Sequence, residues 1–259
     1  MKVNNQNSEW SVRISAKKAI ASATALSVLL TAGIALADNK KNSTPADARG
    51  MISDVNSDNR KQIEQTAKEA AIVYRKMTSG STAQISQSEI ARAKCIAIFP
   101  NLTNVAVGVG GSHGDGIVTC RTANGLSNVA PVDLTSASIG IQLGASETDL
   151  ILLFNSDKAQ KRLEQGTLTL GADVSVSASN KEQKAVGAMV STESSDVVGF
   201  ARDRGLFAGA ALSGTALMID QDEVQNLYGK QIPAPTILSN RVESDLVSPV
   251  RELLETIAN

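Results

Sequence analysis

Lys61, Lys68 and Arg75 recur at seven-residue spacing, and they are the residues of this 259-residue chain whose type and pattern speak most directly to chemistry. At 3.6 residues per turn a seven-residue step returns to nearly the same side of a helix, so the three cations line up as a basic stripe. Ile72 lies close to it. A basic stripe beside an apolar residue suits contact with anionic headgroups. The competing reading is a solvated charged face, with Glu64 and Glu69 supplying ordinary helix pairing. A second basic group, Lys158, Lys161 and Arg162, falls on a short predicted helix over Asn155 to Glu164 that Gly166 stops. These six residues form the candidate lipid-binding set.

Cys95 opens the apolar run Cys95-Ile96-Ala97-Ile98-Phe99, and Cys120 ends Ile117-Val118-Thr119-Cys120. Neighbouring strands would bring them together as a disulfide worth ~3 to 4 kcal/mol by chain entropy. The alternative is a pair of buried free thiols. No C-x-x-C spacing suggests redox catalysis.

Other chemistry finds little support. His113 is the single histidine, which excludes a zinc site built on several histidines. Ser112 and Asp115 are too close to it in sequence for a conventional triad, and no G-x-S-x-G elbow surrounds the serine. The run Gly108-Val109-Gly110-Gly111-Ser112-His113-Gly114-Asp115-Gly116 contains no intact G-x-G-x-x-G and feeds a strand rather than a helix, so a hairpin turn is expected there. Asp220-Gln221-Asp222 lacks the glycine and terminal glutamate of a calcium loop. The acidic pair Glu193 and Asp196 has nothing that aims it at a pocket. The chain is therefore read as non-enzymatic, with no metal and no cofactor.

The elements that must position these residues follow from periodicity. From Arg60 to Met77, Ile63, Ala67, Ala70, Tyr74 and Met77 mark the buried face of an amphipathic helix that Asp58 can cap. A short helix follows over Ser88 to Lys94. Strand patterns occupy Cys95 to Phe99, Val105 to Gly110, Ile117 to Cys120, Ile139 to Gly144 and Thr148 to Phe154. Further strands are read at Val174 to Ser177, Val197 to Ala201, Leu206 to Leu212 and Thr215 to Ile219. Val105, Val107 and Val109 alternate with Ala106, Gly108 and Gly110, so something must pack very close to the bare face. Helical patterns return at Gln221 to Tyr228 and at Glu243 to Ala258, on either side of Pro233 and Pro235. The expected fold is α+β, a mostly antiparallel β-sheet or barrel-like core with peripheral helices.

Arg13, Lys17 and Lys18 precede the charge-free stretch Ala19 to Ala37, which ends in Ala35-Leu36-Ala37. Residues 1–37 are read as a cleavable signal peptide, against the alternative of a transmembrane anchor. No cysteine stands at the cleavage point, so a lipoprotein is not expected. Residues 38–57, polar and interrupted by Pro45 and Gly50, are read as a flexible linker, and 58–259 as a single domain with a C-terminal helical extension. Removing Lys2, Arg13, Lys17, Lys18 and Glu9 leaves 21 basic against 25 acidic residues, a net charge of −4. Nucleic acid is a poor partner for that balance. The expected location is periplasmic or secreted.

The order of segments resembles the SYLF family, found in yeast actin-associated proteins, in animal and plant phosphoinositide-binding proteins and in secreted bacterial proteins. The match is carried by Ala93 to Pro100, Gly108 to Gly116, Ser138 to Gly144 with Thr148 to Asn155, Leu170 to Val176, and Arg202-Asp203-Arg204-Gly205-Leu206-Phe207-Ala208-Gly209. Gly125-Leu126-Ser127 departs from the family's common Gly-Trp-Ser, and Ile141 stands where relatives often carry an aromatic. The two cysteines resemble the bacterial branch. The resemblance implies binding to anionic membrane lipid, phosphoinositide in many eukaryotic members, through an N-terminal amphipathic helix and basic residues. It implies no catalytic residues. A periplasmic protein-interaction or structural module, with an envelope protein as partner and no lipid binding, is the alternative.

Overall fold

The computed structural model describes residues 45–81, 83–179, 195–203, 212–240, 242 and 246–258, without the side chains of 45–59, 105–109, 138–146 and Asp203. The expected signal peptide, the strand read at Leu206 to Leu212 and the stretch Arg204 to Gly209 lie essentially outside those residues. The chain divides into two compact units, Met1–Met51 and Ile52–Asn259. The described residues of the first are helical backbone from Pro45 to Met51, and the remaining elements belong to the second.

Helix α1 runs Pro45–Thr78, followed by α2 (Gln87–Arg92), β1 (Cys95–Thr122), β2 (Gly125–Leu126), β3 (Ala130–Phe154) and α3 (Asp157–Glu164). Then come β4 (Thr167–Thr169), β5 (Val176–Ser179), β6 (Val197–Asp203), β7 (Ala216–Ile219), α4 (Gln221–Tyr228), α5 (Ala234–Leu238) and α6 (Ser248–Ala258). The sheet order is β2-β1-β3-β6-β5, with β7 pairing β3 and β4. Among the described strands only β5 and β6 pair in parallel. The fold is α+β, a mostly antiparallel half-barrel with peripheral helices.

The strands predicted separately fuse into two long ones. β1 and β3 pair from Cys95↔Phe154 to Val118↔Ala130, with register shifts at Phe99/Leu102 and Val107/Val109. A straight strand as long as β1 would reach about 90 Å, too far for a domain of this length. The ribbon therefore curls, and its bulges supply the bending. The two ends of β1 return against each other: Arg121 N donates to Lys94 O at 2.6 Å, and Cys95 and Cys120 are joined as a disulfide.

The glycine run is where the two halves of β1 approach, and the expected hairpin turn is absent. Residues 110–116 stay paired with 132–138 of β3. A Cβ on Gly116 would lie 2.4 Å from Phe99 Cδ1 and 2.7 Å from Ile98 O, and one on Gly114 would lie 2.9 Å from Leu102 Cδ1. Glycine is needed there for space rather than for a left-handed backbone. The turn itself comes later, at Gly125 with φ 108°.

Alternation divides β1 and β3 between two cores. Cys95, Ala97, Phe99, Leu150, Leu152 and Phe154 face inward, with Ala159 and Leu163 of α3 packed among them. Ile96, Ile98, Ile117, Ile151 and Leu153 face outward beneath α1, α2 and α6. Ile63, Ala67, Ala70, Tyr74 and Met77 are the α1 residues buried there, as the spacing predicts. The helix begins at Pro45 rather than after Asp58, so residues 45–57 are helical backbone where a flexible linker was expected. Proline in a first turn costs no hydrogen bond, which is why Pro45 does not exclude a helix.

Caps set the shorter helices. Ser86 and Glu89 form a capping box on α2, Ser156 accepts from Ala159 N at the start of α3, and Asp220 accepts from Asp222 N and Glu223 N at the start of α4. The Asp220-Gln221-Asp222 sequence is thus a helix start. Helix α5 forms across the prolines read as breaks, with Pro233 as its N-cap and Pro235 in its first turn. The last helix starts at Ser248, and residues 243–245 of its predicted extent lie outside the described ones.

Candidate functional site

Lys61, Lys68, Ile72 and Arg75 all fall on the solvent side of α1, opposite the residues that bury it. At 100° per residue they occupy an arc of about 60°. Ile72 is 43% exposed, one of two large apolar side chains left open among the described residues. Lys76 borders the same arc and is also exposed. Arg75 is shared with α6: its Nη1 lies 3.8 Å from Glu252 Oε1 and donates to Thr256 Oγ1 at 3.4 Å. Both partners of that ion pair are more than half exposed, so it adds little stability and yields easily to another anion.

The second basic group sits elsewhere. Lys158, Lys161 and Arg162 are exposed on α3, whose apolar side enters the inner core, whereas α1 packs on the outer one. Lys158 Nζ lies 3.9 Å from Asp196 Oδ2, and Arg162 Nη2 lies 3.7 Å from Asp173 Oδ1. These two cations serve local pairing. Asp196 is a structural hub: it accepts from Ser156 Oγ, Ser175 N and Ser175 Oγ, and these bonds, Ser156 foremost, hold its carboxyl below the usual range. Its predicted companion Glu193 lies outside the described residues.

Between α1 and β1 opens a polar groove of about 240 Å³, lined by Thr66 and Glu69 of α1, by Pro100, Asn101 and Thr103, and by His113 to Asp115. Asn101 has φ 52°, a left-handed backbone that asparagine tolerates better than most residues. It sits in the first bulge of β1, and the bulge turns it toward α1. Its N–H donates to Asp149 Oδ1 at 3.3 Å and its side-chain amide to Glu69 Oε2 at 3.0 Å. Gln65 donates to Glu69 Oε1 at 2.7 Å, and Gln62 to Asp115 Oδ2 at 3.0 Å.

His113 belongs to β1 and not to a turn. Its Nδ1 is 3.3 Å from Thr135 Oγ1 and its Nε2 is 3.9 Å from Asp115 Oδ1. Half exposed, it is held by these strand neighbours. Among the described residues no group of three or more His, Cys, Asp or Glu side chains is placed to hold a metal ion. No helix among them is long and apolar enough to cross a membrane.

The groove was not legible in the sequence. Glu69, Asn101 and Asp115 are far apart along the chain, and they meet only because β1 bulges at Asn101 and curls back at Gly114. The disulfide pairing was legible, although the two cysteines terminate one curled strand rather than facing each other from neighbouring ones.

Residues 135–259 match the Ysc84 family, described as a Las17-binding protein actin regulator. The chain is 28% identical over 208 residues to protein YSC84 of Saccharomyces cerevisiae, covering 76% of this chain and 44% of the relative. It is 28% identical over 194 residues to LAS seventeen-binding protein 3 of the same yeast, covering 73% and 42%. The human SH3 domain-containing YSC84-like protein 1 is 28% identical over 183 residues, covering 68% and 53%. The chain thus spans about half the length, or less, of these curated relatives.

Proposed function

From the match of residues 135–259 to the Ysc84 family and from the exposed side of α1, we propose that the chain is a non-enzymatic module that binds anionic lipid surfaces through that side of the helix. The observation that supports this most is the arc of Lys61, Lys68 and Arg75 around the exposed Ile72. Each basic residue near an anionic surface contributes about 1 kcal/mol before screening, and an apolar side chain in their midst adds contact with the acyl boundary. Lys161 of α3 is an auxiliary contact at most, because Lys158 and Arg162 beside it are engaged with Asp196 and Asp173. The leader-like residues 1–37 and the disulfide support export to an oxidising envelope compartment, where phosphatidylglycerol or cardiolipin supply the anionic surface.

Liposome flotation tests the reading. A Lys61→Glu, Lys68→Glu, Arg75→Glu variant that stays folded should lose well over tenfold in affinity for phosphatidylglycerol vesicles, most at low salt, with little change on neutral ones. Wild-type affinity in that variant refutes the assignment. The name of the yeast LAS seventeen-binding protein 3 favours a second reading, a protein-interaction module with an envelope protein as partner. Capture of a specific envelope protein, with no flotation on any anionic vesicle, supports that alternative.

A further inference from the structure

The groove beside α1 poses a problem for a purely anionic surface. Glu69 and Asp115 lie on its walls, and Glu69 is only about 80° round the helix from Lys61. Carboxylates placed there repel phosphate and weaken the contact that the neighbouring lysines make. They are also held in place: Gln65 and Asn101 donate to Glu69, and Gln62 donates to Asp115. Those donors are neutral amides, which orient the carboxylates without cancelling their charge. The imidazole of His113 lies beside Asp115 as well, its Nε2 3.9 Å from Oδ1.

From this juxtaposition we propose that the groove of Glu69, Asn101, His113 and Asp115 receives the primary ammonium of a zwitterionic phosphoethanolamine headgroup, while Lys61 and Lys68 contact its phosphate. The inference rests on the lipid-binding reading above and names a headgroup for it. Several features select a primary ammonium. Such a group has three N–H donors, and the groove offers carboxylate oxygens together with the hydroxyls of Thr66 and Thr103 as acceptors. A trimethylated ammonium has no N–H to donate and is recognised by aromatic cages, whereas the imidazole of His113 is the single aromatic ring on these walls. A metal ion is a poor occupant, since the carboxylates are not clustered with a third ligand. The space, about 240 Å³, far exceeds the roughly 10–15 Å³ that one water needs and admits an ethanolamine arm.

The test compares vesicles of equal phosphatidylglycerol content whose remaining lipid is either phosphatidylethanolamine or phosphatidylcholine. The wild-type chain should bind the ethanolamine vesicles about tenfold more tightly, the scale of one charge-assisted hydrogen bond. A Glu69→Gln, Asp115→Asn variant keeps acceptors for the amide donors and should remain folded by circular dichroism. It should bind both vesicle types alike, while retaining its dependence on phosphatidylglycerol. In a parallel arm, soluble O-phosphoethanolamine is titrated while the ring resonances of His113 are followed by NMR. A response there without a vesicle preference assigns the groove to a free zwitterion of the same chemistry. Anionic binding with no ethanolamine preference and no His113 response overturns the groove and leaves the lipid reading standing. Absence of binding to any vesicle overturns both.

Discussion

Replacing both Cys95 and Cys120 by alanine perturbs the curl of β1 where its ends meet. The bond closes a loop with a sequence separation of 25, for which chain entropy assigns about 3.5 kcal/mol. Both cysteines are fully buried in the inner core, so the loss of two sulfur atoms adds a packing cost in the same direction. For a domain of this size 1 kcal/mol moves the midpoint by about 2–4 °C, which predicts a fall of about 7–14 °C. Urea unfolding of the oxidised chain and of the double alanine variant measures the difference. Hydrogen exchange locates it, because the Arg121 N–H that donates to Lys94 O should lose protection first. A double variant within about 1 kcal/mol of wild type would refute the reasoning, since it would mean that the β-ladder closes the curl without the covalent bond.

Gly116→Ala should destabilise the chain by about 1–3 kcal/mol, because its Cβ would meet Phe99 and Ile98 O; a Phe99→Leu background should recover part of that loss in thermal melts. Tyr228→Phe should cost about 1 kcal/mol in urea unfolding, as it removes the 2.6 Å bond from the partly buried tyrosine's hydroxyl to Val129 O. Asp196→Asn should weaken the chain at neutral pH. Asp196 has a depressed folded pKa, so its contribution is complete above the ordinary carboxylate range and disappears as pH falls through the folded value. The stability gap between wild type and variant should therefore close in acid, and a gap that is unchanged at low pH would count against the Ser156 and Ser175 bonds as its source.

The sequence was most legible where burial and period coincide. Ile63, Ala67, Ala70, Tyr74 and Met77 repeat at helical spacing because one side of α1 lies on the sheet, and each is buried. Periodicity misled where a strand is longer than its pattern. The alternation breaks at the bulge near Asn101 and again in the glycine run after Gly110, so β1 reads as several strands although the ladder continues through both. The glycine run misled for a different reason. Glycine signals either a left-handed backbone or close approach, and only the fold reveals that Gly116 lies against Phe99. The basic residues were legible as a stripe on α1. That Lys158 and Arg162 are tied to Asp196 and Asp173 was not, since those partners come from distant segments.

The seam in β1 connects stability to the candidate surface. From within, Cys95 and Cys120 join the two ends of the strand; from outside, α1 lies over Ile96 and Ile98 of one half and Ile117 of the other. Farther along the same helix Gln62 and Glu69 reach Asp115 and Asn101, one from each half of the strand. Helix and disulfide therefore hold the same closure from opposite sides. A helix fastened at so many points presents Lys61, Lys68, Ile72 and Arg75 already ordered, so binding need not supply the entropy of folding them. It follows that reducing the disulfide should weaken vesicle binding through the loosened seat of α1, with every cation still in the chain. Flotation of the folded double alanine variant measures that coupling. Affinity equal to wild type would show that the stripe works as an independent helix, indifferent to the sheet beneath it.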